Sequence, residues 1–261
     1  MSDSLRFQAK ALLIDLDGVI YVQENLIPGA TEAIRYIQQK NIPHRFVTNT
    51  TTHSRRQLTK RLAQVGLEII PEHLFTAPVA AAQHLKNIHN ARCYFYVNPN
   101  IVEEFEKLER VDSEPTHVIV GDVGERFNYE MMNRVFFMIQ QGADIVALQK
   151  NRFWITREGL KLDAGAFIAA LEYATGKTAR VFGKPSAEFF HHACSSLGVP
   201  PGDVTMIGDD LIADIEGAAS AGLKTIFVRT GKDQNTSLEE RQQPDLVLNS
   251  IAELPAYLNR Q

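Results

Sequence analysis

The sequence lacks the features that mark secreted and membrane proteins. Its 261 residues include only two cysteines, Cys93 and Cys194, each in an apolar context typical of a buried thiol rather than of a disulfide framework. It has no run of about 18 consecutive apolar residues, which a membrane-spanning helix requires. Residues 1–10 contain no apolar segment of the signal-peptide type. These absences favour a cytoplasmic protein without a membrane partner.

Long runs of one charge are also absent. The sequence contains 27 Lys and Arg residues against 31 Asp and Glu residues, which gives a formal net charge of -4. A nucleic-acid-binding surface needs an excess of basic residues clustered on one face, so we expect no nucleic-acid partner. The eight histidines show no metal-ligand spacing, and zinc is therefore not indicated.

Two nucleotide-binding motifs are incomplete. The tripeptide Gly176-Lys177-Thr178 resembles the end of a P-loop, but Leu171 stands where that motif requires its first glycine. No Gly-x-Gly-x-x-Gly motif opens a helix after the first predicted strand, which is where a dinucleotide-binding fold would have it. The sequence therefore supports neither a P-loop nucleotidase nor a nicotinamide-dependent dehydrogenase.

Short β-rich runs alternate with helical patterns along nearly the whole sequence. Residues 11–16 form an almost continuous apolar run, as in a strand buried on both faces, and Ala33, Ile34 and Ile37 then recur at helical spacing. Such alternation is typical of βαβ units with a parallel sheet. The predicted fold class is therefore α/β, with a Rossmann-like parallel-sheet core.

The same patterns predict individual elements. Strands are predicted at residues 11–16, 45–47, 93–97, 117–120, 145–148, 180–182, 204–207 and 225–228, with a short strand around Trp154. Helices are predicted after Pro28-Gly29, from Ser54, around Met131 to Ile139, from Ser186, near Ile212 to Ala221 and after Asn249. Ser54 suits a helix N-cap, and Gly66 suits the residue that follows a helix C-terminus.

The length of the chain favours two hydrophobic cores, because single cores stop growing near this size. Residues 77–176 contain enough alternating elements to form a domain of their own. We therefore predict a discontinuous core domain, residues 1–76 and 177–261, and a second, smaller α/β domain over residues 77–176.

Polar residues follow several predicted strands. These segments are Asp15-Leu16-Asp17-Gly18-Val19, Thr48-Asn49-Thr50-Thr51, Gly183-Lys184-Pro185 and Gly208-Asp209-Asp210. Because open parallel sheets bind ligands beyond the carboxyl ends of their strands, we expect these segments to lie near one another. Together they offer carboxylates, hydroxyls, an amide and a lysine, the side chains that a phosphate site with a hard cation needs.

The residue types suggest roles in phosphoryl transfer. A carboxylate held beside Mg²⁺ and in line with phosphorus can form an acyl phosphate, and Asp15 is placed to do so. Asp17 can act as general acid and base if the chain bends out of the strand, and Gly18 makes that bend inexpensive. Asp209 supplies a further carboxylate for Mg²⁺. Thr48, Asn49 and Lys184 would then bind and orient the phosphoryl oxygens of the substrate.

Each segment also has a simpler interpretation. Asp-Leu-Asp-Gly is an ordinary turn sequence after a strand, and Thr48-Asn49 suits the cap of the next helix. Lys184 suits a solvated turn. Asp209, Asp210 and Asp214 suit a helix N-terminus, where the helix dipole favours negative charge. All four interpretations must hold together for the site to vanish.

The four segments, in this order and at these strand ends, resemble the haloacid dehalogenase superfamily over essentially the whole chain. The long segment between Thr48-Asn49 and Lys184-Pro185 resembles the subgroup with a large α/β cap at that place. More narrowly, residues 45–51, 170–174 and 183–186 resemble the phospholysine phosphohistidine inorganic pyrophosphate phosphatases and the haloacid dehalogenase-like hydrolase domain-containing proteins.

The resemblance implies a magnesium-dependent phosphatase that acts on small phosphate esters, phosphoamides or pyrophosphate through an aspartyl-phosphate intermediate. It implies Asp15 as nucleophile, Asp17 as acid and base, and Mg²⁺ held by Asp15, the Asp17 carbonyl and Asp209. Asp214 would fix the metal loop from behind the ligands, and Asp210 would lie beside it.

The resemblance leaves several points open. In the cap, Lys150, Arg152 and residues 162–165 are expected to meet the rest of the substrate, Trp154 is expected to pack in the interior, and a homodimer through the cap is compatible with the family. A phosphotransferase or mutase that uses the same intermediate is an alternative. So is a catalytically silent phosphate-binding protein.

Overall fold

A computed structural model describes residues 10–23, 25–156, 159–238 and 243–259. Within those residues the strands are β1 (Ala11–Asp15), β2 (Tyr21–Val22), β3 (Asn25–Leu26), β4 (His44–Thr48), β5 (Leu74–Thr76), β6 (Arg92–Tyr96), β7 (Glu109–Arg110), β8 (His117–Val120), β9 (Asp144–Ala147), β10 (Phe153–Thr156), β11 (Gly159–Leu162), β12 (Arg180–Val181), β13 (Val204–Gly208), β14 (Lys224–Val228) and β15 (Leu246–Leu248).

The α-helices, again within the described residues, are α1 (Ala30–Gln39), α2 (Arg55–Gln64), α3 (Ala77–Lys86), α4 (Tyr129–Gln140), α5 (Ala164–Thr175), α6 (Ala187–Leu197), α7 (Gly217–Ser220) and α8 (Leu254–Leu258). Short 3₁₀ turns and one π-helical segment, Leu211–Glu216, complete the set. In the part of the chain that the structure describes, no helix is both long and apolar enough to cross a membrane.

The first of two compact units comprises Met1–Thr48, Thr59–Phe75 and Lys184–Gln261. Its sheet has the strand order β15-β14-β13-β1-β4-β5, in which β1 lies between β13 and β4 and is parallel to both. Every residue of β1 is buried, which explains its almost continuous apolar sequence. The expected Rossmann-like parallel core is confirmed.

The second compact unit comprises Asn49–Leu58 and Thr76–Gly183. Its sheet has the order β12-β9-β8-β6-β7, and each pairing along it is parallel. A buried cluster joins this sheet to α4 and α5, and it includes Val118, Val135, Ile139 and Ile168. The predicted amphipathic helix therefore faces the core with Val135, Met138 and Ile139, which are buried.

The predicted helix from Ser54 has the expected ends. Its Ser54 hydroxyl accepts a hydrogen bond from the Gln57 amide at 3.3 Å, and the Gln57 side chain accepts one from the Ser54 amide at 3.1 Å. These reciprocal bonds form a capping box. At the other end Gly66 adopts φ +87°, the left-handed conformation that favours glycine after a helix.

The strand predicted at 180–182 belongs to a different sheet from the one expected. The sequence predicts it in the core domain, but β12 pairs with β9 in the second sheet, with Arg180 opposite Val146. Residues 177–183 therefore group with the second unit, as do residues 49–58. A strand's apolar pattern shows that it is buried, whereas its hydrogen-bonding partner is decided only by the three-dimensional arrangement of sheet edges.

Two further predictions are corrected. Trp154 is not interior packing, because its side chain is half exposed on β10, a strand that pairs with β11 as a two-stranded sheet. The helix predicted near residues 212–221 is divided between the π-helical segment and α7. The final helix begins at Leu254 after a 3₁₀ turn.

Candidate active site

Asp15 and Asp209 lie at the same edge of the first sheet. Asp15 is the last residue of β1, and Asp209 directly follows β13. These two strands are parallel neighbours, with Ile14 opposite Ile207, so their carboxyl ends coincide. Asp15, Asp209 and Asp214 each place one carboxylate oxygen within 4.8 Å of the others. The sheet register therefore brings Asp15 beside Asp209 and Asp214, which lie almost 200 residues further along the sequence.

Lys184 is buried among these carboxylates. Its Nζ donates hydrogen bonds to Asp15 Oδ1 at 2.7 Å and to Asp214 Oδ1 at 2.5 Å. Burial alone would lower the pKa of Lys184, but the two carboxylates raise it above its ordinary value. With an exposure of only 4%, Lys184 is not the solvated turn lysine of the simpler interpretation. It holds a fixed positive charge at the centre of the site.

The acidic groups outnumber this one lysine. Burial, and then the charges of Asp15 and Asp214, raise the pKa of Asp209 to about 8. Burial also raises the pKa of Asp214 to about 7, against the lowering effect of Lys184. Burial likewise raises the pKa of Asp15. Clustered carboxylate oxygens with unbalanced negative charge are the ligands that a hard divalent cation prefers, so these residues fit Mg²⁺.

The chain bends sharply after β1, as the glycine suggested. Gly18 has φ +84°, and its amide donates to the Tyr21 carbonyl oxygen at 2.7 Å. The bend leaves Asp17 more exposed than Asp15. Partial burial of the Asp17 carboxyl group raises its pKa, while the charge of Arg61 lowers it. A Cβ at position 18 would lie 2.1 Å from Asp209 Oδ2. Glycine is therefore needed here for close approach as well as for the turn.

Thr48 and Asn49 do not cap the following helix. That helix, α2, begins at Arg55 and is capped by Ser54. Thr48 is the last residue of β4, whose Val47 lies opposite Asp15, so Thr48 lies at the same sheet edge as Asp15. Asn49 belongs to the second unit. Its side chain lies close to Gly183 of the same unit, since a Cβ added at position 183 would lie 2.9 Å from Asn49 Oδ1.

Asp210 caps a helix N-terminus, the role that the simpler interpretation proposed for Asp209, Asp210 and Asp214. Its Oδ1 accepts hydrogen bonds from the Ile212 and Ala213 amides at 2.9 and 2.8 Å. Burial alone would raise the pKa of Asp210, but these amides and Lys232 lower it overall. Asp214 instead is fully buried and accepts a bond from the Asp210 amide at 3.3 Å. Of the three, only Asp210 is a helix cap.

The loop that follows β14 also belongs to the site, although it is not among the residues predicted from the sequence. The Lys232 amide donates to Asp209 Oδ2 at 2.6 Å, and Lys232 Nζ donates to Asp210 Oδ2 at 2.6 Å. The Leu211 amide donates to Asp233 Oδ2 at 2.8 Å. The sequence signal that indicates this loop is its position: residues 229–233, polar apart from Gly231, directly follow the predicted buried strand at residues 225–228.

The second unit places the cap residues singled out in the sequence. Lys150 donates to Glu172 Oε2 at 2.6 Å, while Arg152 is exposed. Asp163 is buried, caps α5 through the Ala164 amide at 2.7 Å and accepts a bond from the Gln149 side chain. A Cβ at Gly165 would lie 2.3 Å from the Asn151 carbonyl oxygen. Residues 149–151 therefore pack closely against Asp163 and the first turn of α5.

In metal-free protein, Asp209→Asn is expected to stabilise the fold, and more strongly as pH rises. The folded pKa of Asp209, about 8, exceeds its ordinary value of 3.8, so the native state binds the extra proton. The stability that the protonated Asp209 side chain contributes is fully present below its ordinary pKa. That stability is lost as the pH rises through the pKa of the folded protein. Asparagine stays neutral at every pH, so the variant avoids this loss in the free energy of unfolding, which is on the order of 1–3 kcal/mol. Thermal denaturation with chelator at about pH 5 and about pH 8.5 measures the difference.

The surface substitution Asp203→Asn is the matched control, since that carboxylate pairs with Lys10 at 3.0 Å and is not part of the cluster. A stability gain for Asp209→Asn that is the same at both pH values would contradict the assignment of buried charge to this group.

Comparison with known proteins agrees with this geometry. The family model described as haloacid dehalogenase-like hydrolase matches residues 12–110, and a second model of the same hydrolase type matches residues 181–254. The chain belongs to the haloacid dehalogenase-like hydrolases and is an enzyme of the phosphatase type.

Among its relatives, the chain is 36% identical over 223 residues to haloacid dehalogenase-like hydrolase domain-containing protein 2 of Bos taurus, covering 85% of each chain. It is 37% identical over 230 residues to the phospholysine phosphohistidine inorganic pyrophosphate phosphatase of Xenopus laevis, covering 85% of this chain and 84% of that one. The p-nitrophenyl phosphatase structure from Archaeoglobus fulgidus has a TM-score of 0.87 at 28% identity, covering 95% of this chain and 99% of that one. The expected family is confirmed.

Proposed function

We propose that this chain is a magnesium-dependent phosphatase that hydrolyses small phosphate esters, phosphoamides or pyrophosphate through a phosphorylated Asp15. The observation that carries the proposal is the buried cluster of Asp15, Asp209 and Asp214 around Lys184. A bound Mg²⁺, held by Asp15, the Asp17 carbonyl and Asp209, would offset the negative charge of the transferring phosphoryl group.

The protein's own residues carry two chemical steps in this proposal. One Asp15 carboxylate oxygen attacks phosphorus, the bond from phosphorus to the leaving oxygen or nitrogen breaks, and Asp17 gives its proton to the leaving group. Asp17 then takes a proton from water as the water oxygen attacks phosphorus. The aspartyl-phosphate bond breaks, inorganic phosphate leaves, and Asp15 is restored.

Lys184 supports both steps. Its hydrogen bond to Asp15 Oδ1 orients the nucleophile and leaves Oδ2 to attack, and its fixed charge compensates the phosphoryl oxygens. Thr48, at the adjacent strand end, and Asn49 are proposed to bind those oxygens as well. Asp214 holds Lys184 from the other side, and Asp210 holds the start of the π-helical segment.

The substrate class is taken from chemistry and from the relatives together. Two relatives carry names that state activity on phospholysine, phosphohistidine and pyrophosphate, or on p-nitrophenyl phosphate. We propose the second unit as the cap that sets substrate preference, with the core formed by the first. We also propose a cytoplasmic protein, supported by two buried free thiols, Cys93 and Cys194, whose pKa values burial raises to about 11.

A homodimer through the cap is part of the proposal. Phe153, Leu160 and Leu162 on the β10-β11 hairpin are each at least half exposed, and β10 places Phe153 opposite Leu162. Exposed apolar side chains grouped on one hairpin are typical of association surfaces. Light scattering of the parent and of Leu160→Lys tests it; a monomeric parent would contradict the dimer and leave the phosphatase proposal unaffected.

The phosphatase proposal is tested by ranking substrates by kcat/KM. We expect free phosphate to accumulate from at least one phosphomonoester, phosphoamide or pyrophosphate with Mg²⁺ present and no acceptor added. Phosphorus NMR follows the products. Phosphate that appears only on an added acceptor alcohol would identify the phosphotransferase alternative. No turnover across the panel, with the compounds still binding, would identify the silent phosphate-binding alternative.

A further inference from the structure

The loop of residues 229–233, which follows β14, makes several hydrogen bonds with the two strand ends that carry the acidic residues. Besides the bond from the Lys232 amide to Asp209 Oδ2, the Asp233 amide donates to the Asp209 carbonyl oxygen at 3.3 Å. The Thr230 hydroxyl donates to the Gly18 carbonyl oxygen at 2.6 Å. The 229–233 loop therefore touches both the bend after β1 and the segment after β13.

These contacts constrain one carboxylate oxygen of Asp209. Oδ2 accepts the Lys232 amide at 2.6 Å, so a proton donor occupies it. Because the amide takes up one acceptor site of Oδ2, it favours the other oxygen, Oδ1, as the one that faces a cation. The 229–233 loop thus sets which oxygen of Asp209 is available and the direction in which it points. Such fixed partners of metal ligands strongly affect metal affinity.

Gly231 makes this arrangement possible by leaving no side chain in the way. A Cβ at position 231 would lie 1.9 Å from Asp209 Oδ2 and 2.6 Å from the Gly18 Cα. Gly231 does not have a left-handed φ, so an alanine there is opposed by the close approach of Asp209 and Gly18 and not by a left-handed backbone. Position 231 therefore requires glycine because the Asp209 carboxylate lies where a Cβ would be, and not because the backbone makes a left-handed turn.

We propose that Gly231, the Lys232 amide and the Thr230 hydroxyl are a positioning clamp that presents a single oxygen of Asp209 to the active-site cation. The proposal rests on the proposed function, because that function supplies the cation. It adds three residues to the site that act through Asp209 and Gly18.

The test uses Gly231→Ala in the full chain. Mn²⁺ binding by electron paramagnetic resonance, in the absence of substrate, is expected to weaken about 10–100-fold. Thermal denaturation with chelator shows whether the variant is folded. In turnover assays, the Mg²⁺ concentration that gives half the maximal rate is expected to rise by a similar factor, and excess Mg²⁺ is expected to recover part of the lost rate. A general structural defect would lower the rate at every Mg²⁺ concentration.

Gly202→Ala is the matched control, because a Cβ there has no described atom within 4 Å and its backbone is not left-handed. Thr230→Val is a second variant, since it removes the hydroxyl bond to Gly18 without a steric conflict, and Thr230→Ser should restore Mn²⁺ affinity. If Gly231→Ala does not fold, this pair decides the proposal.

The clamp would be overturned if Gly231→Ala folds and binds Mn²⁺ with unchanged affinity. If Gly231→Ala does not fold, unchanged Mn²⁺ affinity in Thr230→Val would overturn it. So would an equal loss in Gly202→Ala, and so would a parent protein that binds no Mn²⁺. A parent that binds Mn²⁺ but hydrolyses no phosphate compound would contradict the proposed function alone, since the clamp is then judged by Mn²⁺ affinity.

Discussion

Asp15→Asn is expected to fold like the parent protein and to lose turnover by at least about 10³-fold. The amide is close in size to the carboxylate and can still accept the hydrogen bond from Lys184. It is not nucleophilic enough to form an acyl phosphate. Removing one negative charge from a buried cluster should also leave stability equal to that of the parent or slightly higher.

Steady-state kcat/KM on the best substrate, together with thermal denaturation, measures both parts of this result. Asp203→Asn is the control, because Asp203 precedes β13 at the end of the strand opposite to Asp209 and pairs with Lys10 on the surface. Residual activity of Asp15→Asn within about tenfold of the parent would show that another group attacks phosphorus.

Chelation of Mg²⁺ is expected to lower the rate by about 10²–10³-fold, because cation stabilisation of the transferring phosphoryl group amounts to several kcal/mol. Adding excess Mg²⁺ should restore the rate. A rate that does not respond to chelator would refute the metal assignment.

Mg²⁺ should also raise the thermal stability of the protein, and more at about pH 8.5 than at about pH 5.5. At the lower pH, Asp209 and Asp214 are protonated in the metal-free protein, with pKa values of about 8 and about 7, so protons compete with the cation. Differential scanning calorimetry with and without Mg²⁺ at the two pH values tests this. A larger Mg²⁺ effect at the lower pH would contradict the charge balance described for the cluster.

Strand ends were the most informative part of the sequence. Asp15 and Asp209 each follow a buried apolar run, and parallel strands carry their carboxyl ends to one sheet edge, so the rule located both residues before any coordinates. Gly18 was expected to bend the chain, and it does so with φ +84°. These predictions succeeded because they depend on local pattern and on a general property of parallel sheets.

Lys184 shows where local pattern was insufficient. Taken alone, its tripeptide favours a turn with a solvated lysine over a phosphate-site lysine. The structure excludes the solvated turn, since Nζ is buried between Asp15 and Asp214, and the phosphate-binding role of Lys184 stays a prediction. The contacts that bury Lys184 are with Asp15 and Asp214, and these residues are too far from Lys184 in the sequence for a local pattern to show them.

The amino-acid sequence alone determined the α/β class, the parallel core sheet, the strand-end carboxylates and the family, because these follow from apolar periodicity and from short motifs. The tertiary structure alone decided that β12 joins the second sheet, that Trp154 is exposed and that the 229–233 loop contacts Asp209. Each of these depends on which surfaces and hydrogen-bonding edges meet after the chain has folded, and that pairing is a property of the whole packed molecule.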